Sequence, residues 1–347
     1  MKRSLKVLLI GAVNVGFQPS GGEEFKNQIL FQKLLQGYEC RLVDTIHWKR
    51  NPFVILNLLF SIFVKKHDSI IISASSLSSY RLIKVLSFFP RLISKTNYFV
   101  IGGYFPKGLN EGIYNSRYYE GLNKIVVEGQ LLKEEIVSNH SLNNVEVIPN
   151  FKSFDFVPKK KETGRVPLNF VFISLITEDK GCDTIFSAIS ELNTRGFANS
   201  FTVSFYGKID LEYKDEFLAQ IGINSEYKGY LDLMKNPNDG YLELSGYDCL
   251  LFPSYFKGEG FPGVLIDSFI AGLPTIASDW HMNKELVQDE RNGLIVRARD
   301  ESALADAMQR VIENPDLLVS MSANASENAT YYHIDSVWTR IQEILEN

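Results

Sequence analysis

Cys249-Leu250-Leu251-Phe252-Pro253-Ser254-Tyr255-Phe256-Lys257-Gly258-Glu259-Gly260-Phe261-Pro262-Gly263-Val264-Leu265-Ile266-Asp267-Ser268 reads as the middle of a strand–loop–helix unit. Residues 249–252 are apolar and make a short buried strand, which Pro253 ends. A loop with three glycines follows, and the apolar run over 263–271 makes a helix. Residues 275–277 are the next strand. Strand, helix and strand in that order imply two parallel strands. Glu259 falls just ahead of the helix, and Asp267 lies eight residues later, one turn inside it. Two carboxylates so placed can meet one ligand from two sides, with backbone donors between them. Carboxylates accept paired hydrogen bonds from sugar hydroxyls, each worth about 1.5–3 kcal/mol. The plainer alternative makes Glu259 a cap and Asp267 a cap or surface residue. The glycines, Phe261 and Pro262 are unusual for a mere cap.

Outward from this stretch the same alternation continues. Residues 170–175 and 201–206 read as strands, and 183–193 as a helix between them. Downstream, 301–313, 315–325 and 336–345 read as three helices. Upstream lies the polar run Lys159-Lys160-Lys161-Glu162-Thr163-Gly164, the best linker in the chain. Ahead of it, strands at 6–10, 69–73, 98–101, 124–127 and 145–148 alternate with helices at 23–35, 52–64, 77–89 and 130–139. Pro149-Asn150 closes that series. The expectation is α/β, with two doubly wound parallel sheets in tandem over residues 1–160 and 161–330, and a last helix in 331–347. Ligands of open parallel sheets bind beyond the carboxyl ends of the strands. Two such sheets facing each other would share a cleft.

Composition agrees. At about 150 residues per domain, 347 residues suggest two domains. With 45% hydrophobic and 22% charged residues, the chain is neither disordered nor fibrous. Cys40, Cys182 and Cys249 form no C-x-x-C, which argues against a disulfide framework or a zinc site and suits a reducing compartment. No stretch of about 18 apolar residues is present, so no transmembrane helix is expected. Lys2, Arg3 and Lys6 precede a first strand rather than a signal peptide. The net charge of −5 conceals an asymmetry: residues 1–150 hold 18 basic and 11 acidic residues, and the remainder 18 and 30. Residues 41–100 alone hold 9 basic and 2 acidic. The basic half could face a nucleic acid, an anionic substrate or an anionic membrane.

Other motifs are weaker. Gly11-Ala12-Val13-Asn14-Val15-Gly16 has Walker A spacing, but Phe17-Gln18 stand where Lys-Ser/Thr must be, so a P-loop is rejected. G-x-G-x-x-G is absent, which disfavours a dehydrogenase. Gly21-Gly22 ahead of a helix suits either backbone approach to an anion or an ordinary tight turn. Lys180-Gly181 ends a loop between a strand and a helix, which suits a diphosphate or an ordinary solvated lysine. Trp280-His281-Met282-Asn283-Lys284-Glu285 points at the same sheet edge, or is a plain loop with Glu285 as a cap. His47, His67, His140 and His333 show no ligand spacing, and no Asp-x-Asp occurs to cradle a metal.

Glu259 to Asp267, Ala271-Gly272-Leu273-Pro274-Thr275-Ile276-Ala277 and Asn292-Gly293-Leu294 together resemble the carboxy-terminal signature of glycosyltransferase family 4. The resemblance runs through 168–300. It is weaker earlier, through Gly21-Gly22 and Val147-Ile148-Pro149-Asn150. It implies the GT-B fold, two Rossmann-like domains about a central cleft with the last helices crossing back to the first domain. It further implies a donor-binding rear domain and an acceptor-binding front domain. Glu259 matches the first glutamate of E-x7-E, which contacts donor-sugar hydroxyls, and Asp267 stands at the second acidic position, on the ribose. Residues Phe261, Pro262, Gly263 and Val264 supply backbone N–H groups, with Ser254 and Gly260 as further donor contacts. Lys180 matches the diphosphate-neutralising lysine, and Gly21 and Gly22 the glycine loop of the first domain. The chain departs from the family at Leu175, where arginine is usual, at Gly102-Gly103-Tyr104, where many members carry histidine, and at Asp267 itself. Lys208 and Lys257 are candidates for the missing positive charge. Ile-Gly-Gly and Pro-Asn-Phe look like transferases that build bacterial surface polysaccharides.

The expected reaction is a retaining, metal-independent transfer from a UDP- or GDP-sugar, with no cofactor. Cleft closure would exclude water. Residues 52–64 carry eleven apolar residues of thirteen if proline is counted, followed by Lys65-Lys66. Arg81, Lys84, Arg91 and Lys95 are interleaved with apolar residues. This suits either a core helix with a basic side or a peripheral membrane contact. The expected setting is cytoplasmic, at the inner face of the plasma membrane, with a saccharide or lipid-linked saccharide as acceptor. Nucleic acid is not expected, since no recognisable binding module appears. An epimerase of the same fold and a non-catalytic binding or scaffold relative are the rivals.

Overall fold

The computed structural model describes residues 5–46, 48, 51–162 and 166–346. Lys2, Arg3, His47 and the Thr163-Gly164 end of the expected linker lie outside them. The chain divides into two units, Phe154–Tyr331 and the residues on either side of it, Met1–Ser153 with Tyr332–Asn347.

In the first unit the elements are β1 (Lys6–Gly11), α1 (Gly22–Gly37), β2 (Glu39–Asp44), α2 (Pro52–Phe63), β3 (Ser69–Ser73), α3 (Ser76–Leu86), α4 (Pro90–Ile93), β4 (Thr96–Phe99), α5 (Tyr104–Asn110), β5 (Lys124–Val127), α6 (Gln130–His140) and β6 (Val145–Val147). Every strand pairs in parallel, in the order β2-β1-β3-β4-β5-β6. The five residues of β3 are all buried, as a central parallel strand covered on both faces requires. The strand order reverses between β1 and β3, so the chain leaves these two strands toward opposite sides of the sheet.

The second unit holds β7 (Leu168–Ile173), α7 (Cys182–Thr194), β8 (Phe201–Tyr206), α8 (Lys214–Gln220), β9 (Ser225–Gly229), α9 (Pro237–Ser245), β10 (Cys249–Phe252), α10 (Gly263–Ile270), β11 (Thr275–Ser278), α11 (Asn283–Leu286), β12 (Gly293–Val296), α12 (Glu301–Glu313) and α13 (Pro315–Ala329). Its sheet runs β12-β11-β10-β7-β8-β9, again all parallel. Counted from β7, this is the Rossmann order read from the far edge, and its reversal falls between β7 and β10. Stacked Phe186 and Phe205, 4.9 Å between ring centroids, and Phe217 fill the core between sheet and helices.

The last helix, α14 (Ile334–Glu346), belongs to the first unit. Its apolar stripe of Ile334, Val337, Ile341, Ile344 and Leu345 packs with Val7, Leu9, Leu30 and Leu34. The Asn123 side chain donates to the Ile344 carbonyl at 3.0 Å. The units change over at Ser153/Phe154, upstream of the expected linker; Lys161 within that linker donates to the carbonyls of Ser245 and Tyr247. The three cysteines are free, and burial pushes the Cys40 thiol up to about 11, which leaves it a poor nucleophile. No helix among the described residues is long and apolar enough to cross a membrane.

Candidate functional site

The reversal point of the second sheet places its site. The loops that leave β7 and β10 diverge from neighbouring strands, so a crevice opens beyond their carboxyl ends. The β7 loop ends in Glu178-Asp179-Lys180-Gly181 at the start of α7, and the β10 loop carries Ser254 to Pro262 into α10. The two loops are tied by the Tyr255 N–H, which donates to the Asp179 carbonyl at 2.9 Å. Gly181 has φ +82°, and a Cβ there would lie 2.4 Å from the Pro253 carbonyl oxygen. Glycine is therefore required for the loops to touch.

Across this contact Lys180 Nζ donates to Glu259 Oε2 at 2.5 Å, joining residues 79 apart in sequence. The side chains are only 12% and 11% exposed, so the pair is largely desolvated. Ser254, fully buried where β10 ends, donates through Oγ to the same Glu259 oxygen at 2.9 Å. The Lys180 ammonium also sits 4.6 Å from the centroid of the Phe256 ring. Glu259 is thus oriented by a hydroxyl and a cation at one oxygen. Lys180 is held by a carboxylate and an aromatic face.

The first turn of α10 adjoins this pair. Pro262 is its N-cap and no side chain caps it, which leaves the early backbone N–H groups of Gly263 and Val264 without a capping acceptor. Helix N-termini of this kind favour anions. Phe261 is buried and anchors the turn, and Gly260 joins it to Glu259. Asp267 is 5% exposed, and its Oδ1 accepts the Tyr241 hydroxyl at 3.0 Å. Burial, and then the Asp267 carboxylate, push the Tyr241 hydroxyl up, so it stays a donor.

A bracing layer that the sequence did not reveal lies behind the loop. Ser278, at the end of β11, donates to the Ser254 carbonyl. The Asn283 amide donates to Ser278 O and Oγ, both at 3.1 Å. Trp280 Nε1 donates to the Phe256 carbonyl at 2.9 Å. The segment over 280–285 therefore supports the β10 loop, and Glu285 lies in the first turn of α11. Nothing in a single asparagine after a strand signals such a role.

Other expected residues fall as follows. Leu175 is half exposed, and Lys208 lies 5.1 Å over the Tyr230 ring. Lys257 is exposed. In the first unit Gly21 is the N-cap of α1. Neither Gly21 nor Gly22 has a left-handed φ, and a Cβ on either would meet nothing within 4 Å. No tight turn demands glycine there, and the space beside both is open. His67 is buried with Nε2 3.0 Å from the Ser61 carbonyl, and burial lowers its pKa; His140 contacts Asn110 Oδ1 at 2.8 Å. Among the described residues no group of three or more His, Cys, Asp or Glu is placed to hold a metal.

Residues 167–314 match the family model described as Glycosyl transferases group 1. Amylovoran biosynthesis glycosyltransferase AmsK of Erwinia amylovora is 23% identical over 203 residues, which is 54% of this chain and 47% of that protein. The GalNAc-α-(1→4)-GalNAc-α-(1→3)-diNAcBac-PP-undecaprenol α-1,4-N-acetyl-D-galactosaminyltransferase of Campylobacter jejuni is 26% identical over 184 residues, 51% of this chain and 48% of that one. The chain spans about half the length of these curated relatives, and less of some others. The crystal structure of Anabaena HepE in complex with UDP superposes with a TM-score of 0.73 over 99% of both chains at 15% identity. That likeness is one of fold, the two-domain α/β architecture of the GT-B glycosyltransferases.

Proposed function

From a chain whose residues 167–314 match glycosyl transferases group 1 and whose whole length has the GT-B fold, we propose a glycosyltransferase that moves a sugar, with retention, from a UDP- or GDP-sugar to a saccharide or lipid-linked saccharide acceptor. The carrying observation is the meeting of Lys180 and Glu259 at the reversal point of the second sheet, beside the open turn of α10. A nucleoside diphosphate needs cationic and N–H donors, and a sugar needs hydrogen-bond acceptors. Here both kinds of group stand at one crevice.

In this reading the donor exchanges partners with the protein. Its diphosphate takes the Lys180 ammonium, which in the free protein rests on Glu259. The released carboxylate accepts sugar hydroxyls, still steadied by Ser254. The N–H groups of residues Phe261 to Val264 serve the sugar and the phosphate. Asp267 serves the ribose and shares its carboxylate with Tyr241. Gly21 and Gly22 present no side chain that would obstruct an anion at the start of α1. The C1–O bond to the leaving phosphate breaks as the acceptor oxygen bonds C1 on the same face, and the acceptor proton passes to the departing phosphate oxygen. No protein nucleophile is needed. Charge on the leaving group is stabilised by Lys180 and oriented amides, the kind of electrostatic contribution that is usually the largest in catalysis.

The named relatives favour surface polysaccharide synthesis as the setting, and the UDP in HepE favours a uridine donor. Incubation with UDP- and GDP-hexoses and a saccharide acceptor tests the reading, with product anomers assigned by NMR. Transfer with retained configuration, unchanged by EDTA, is expected. Inversion, or a new sugar isomer formed without acceptor, would replace it, the latter with an epimerase.

An anionic membrane surface is proposed as the place of action, at its cytoplasmic face. Helix α2 fully buries only Ser61 and Ile62, while Phe53, Ile55, Leu56, Leu59, Phe60 and Phe63 are exposed. Exposed Lys65 and Lys66 follow it, Lys84 and Arg91 are exposed further along the chain, and Phe88 stands 70% exposed. Each such cation contributes about 1 kcal/mol near anionic lipid. Binding to vesicles containing phosphatidylglycerol should fall at least about tenfold in Leu56→Glu/Phe60→Glu, and should weaken with salt. Equal binding by the variant in a flotation assay would count against this surface.

A further inference from the structure

The first sheet has a reversal point of its own, between β1 and β3. A cavity of about 370 Å³ opens there, large for a packing void and within the range of small-molecule sites. Its apolar side is formed by Ile10, Ile72, Leu58 and Leu82, from β1, β3, α2 and α3. Its polar side carries the Glu23 carboxylate, the hydroxyls of Ser75, Ser78 and Ser79, and Arg81. Glu23 forms no ion pair among the described residues. Burial, and then the neighbouring Glu24 charge, raise its pKa despite a hydrogen bond from the Ser75 backbone. The chamber is thus amphiphilic: a partly desolvated carboxylate, with one backbone donor and acceptor capacity to spare, stands beside serine hydroxyls and faces an apolar wall.

The chamber is bounded by Leu58 of α2 and Leu82 of α3, and it is α2 whose other face exposes Leu56, Leu59 and Phe60. Apolar surface therefore continues from the lining of the cavity to the outside of the unit. We propose that this cavity receives the apolar segment of an amphiphilic acceptor, with Glu23 accepting a hydrogen bond from the hydroxyl that adjoins it. The inference rests on the transferase reading and gives its acceptor a chemical class. A wholly polar oligosaccharide would leave Ile10, Ile72, Leu58 and Leu82 facing water. A purely hydrocarbon ligand would set the Glu23 carboxylate and the serine hydroxyls against hydrocarbon.

The test uses the full chain and n-octyl β-D-glucoside below its micelle concentration, with methyl β-D-glucoside in parallel. Trp48, which also lines the cavity, reports by its fluorescence. Octyl glucoside should give a saturable change, and methyl glucoside none. Ser78→Phe, which fills the chamber, should abolish it, and Ser75→Phe at the exposed rim offers the same test if the first variant misfolds. Glu23→Gln should weaken binding about tenfold. Leu211→Glu, at an exposed position of the second unit, should bind as the wild type does. Identical behaviour of the two glucosides, saturable binding that survives both phenylalanine variants, loss in Leu211→Glu, or wild-type binding by Glu23→Gln would overturn the proposal. A UDP thermal shift, measured on the same proteins, reports separately on the donor reading: its absence alongside octyl glucoside binding would sink the donor site and leave the cavity standing.

Discussion

Glu259→Gln is expected to lower the rate of sugar transfer by about 10²–10³-fold while leaving a cooperative thermal transition. The substitution keeps the length of the side chain and its ability to accept from Ser254. It removes the charge that balances Lys180 in a site where both side chains are about nine-tenths covered. In the free protein the amide can still accept from Lys180, so the loops that Gly181 and Tyr255 hold together need not part. In the donor complex the loss is different in kind. A carboxylate accepts hydrogen bonds from two sugar hydroxyls, whereas an amide offers one acceptor and sets a donor against the other. Steady-state transfer with the active donor, together with circular dichroism of the variant, checks this. More than one tenth of wild-type turnover in a folded Glu259→Gln protein would remove Glu259 from the proposed machinery.

Lys180→Ala is expected to be as severe and to differ in where the loss appears. If Lys180 grips the diphosphate, UDP affinity should fall about 10–100-fold, the value of one charge-assisted hydrogen bond, and kcat should fall with it. If the lysine only neutralises Glu259, UDP affinity should stay near wild type. Calorimetric titration of UDP separates these outcomes. Deleting the ammonium also leaves the Glu259 carboxylate with Ser254 as its one remaining polar contact of those described above, in a nearly dry site. The pair Glu259→Gln/Lys180→Ala should therefore be more stable to heat than Lys180→Ala alone.

What could be read from the sequence, and what could not, follows from burial. The central strands β3, β7 and β10 are buried almost throughout and carry short apolar runs, Ile70–Ile72, Phe170–Ile173 and Cys249–Phe252. Helix α12, with Asp300 capping the Ala303 N–H at 2.9 Å, was legible to the residue. Strands β2 and β9, at sheet edges, lack an apolar run, and β12 is only four residues that begin with glycine. Glu39-Cys40-Arg41-Leu42-Val43-Asp44 and Ser225-Glu226-Tyr227-Lys228-Gly229 are half polar, and only pairing with a neighbour makes them strands. Helices α5, α8 and α9 are short, and α5 and α9 carry Gly and Pro, so tertiary packing decides them.

The same division holds at the site. The glycine loop, Glu259 and Lys180 stand out in the sequence by their places after strands. Their contact does not, since 79 residues and the strand order intervene. The roles of Ser278 and Asn283 depend on the parallel register of β10 and β11, which no local pattern encodes.

The central claim is that Lys180 and Glu259 release each other to receive a sugar nucleotide. A crystal structure of the chain with an intact UDP- or GDP-sugar tests it most directly. The account predicts a phosphate within hydrogen-bond distance of Lys180 Nζ and of a backbone N–H in the first turn of α10, sugar hydroxyls on Glu259, and the 2.5 Å contact broken. A nucleotide bound elsewhere, with that contact intact, would contradict it.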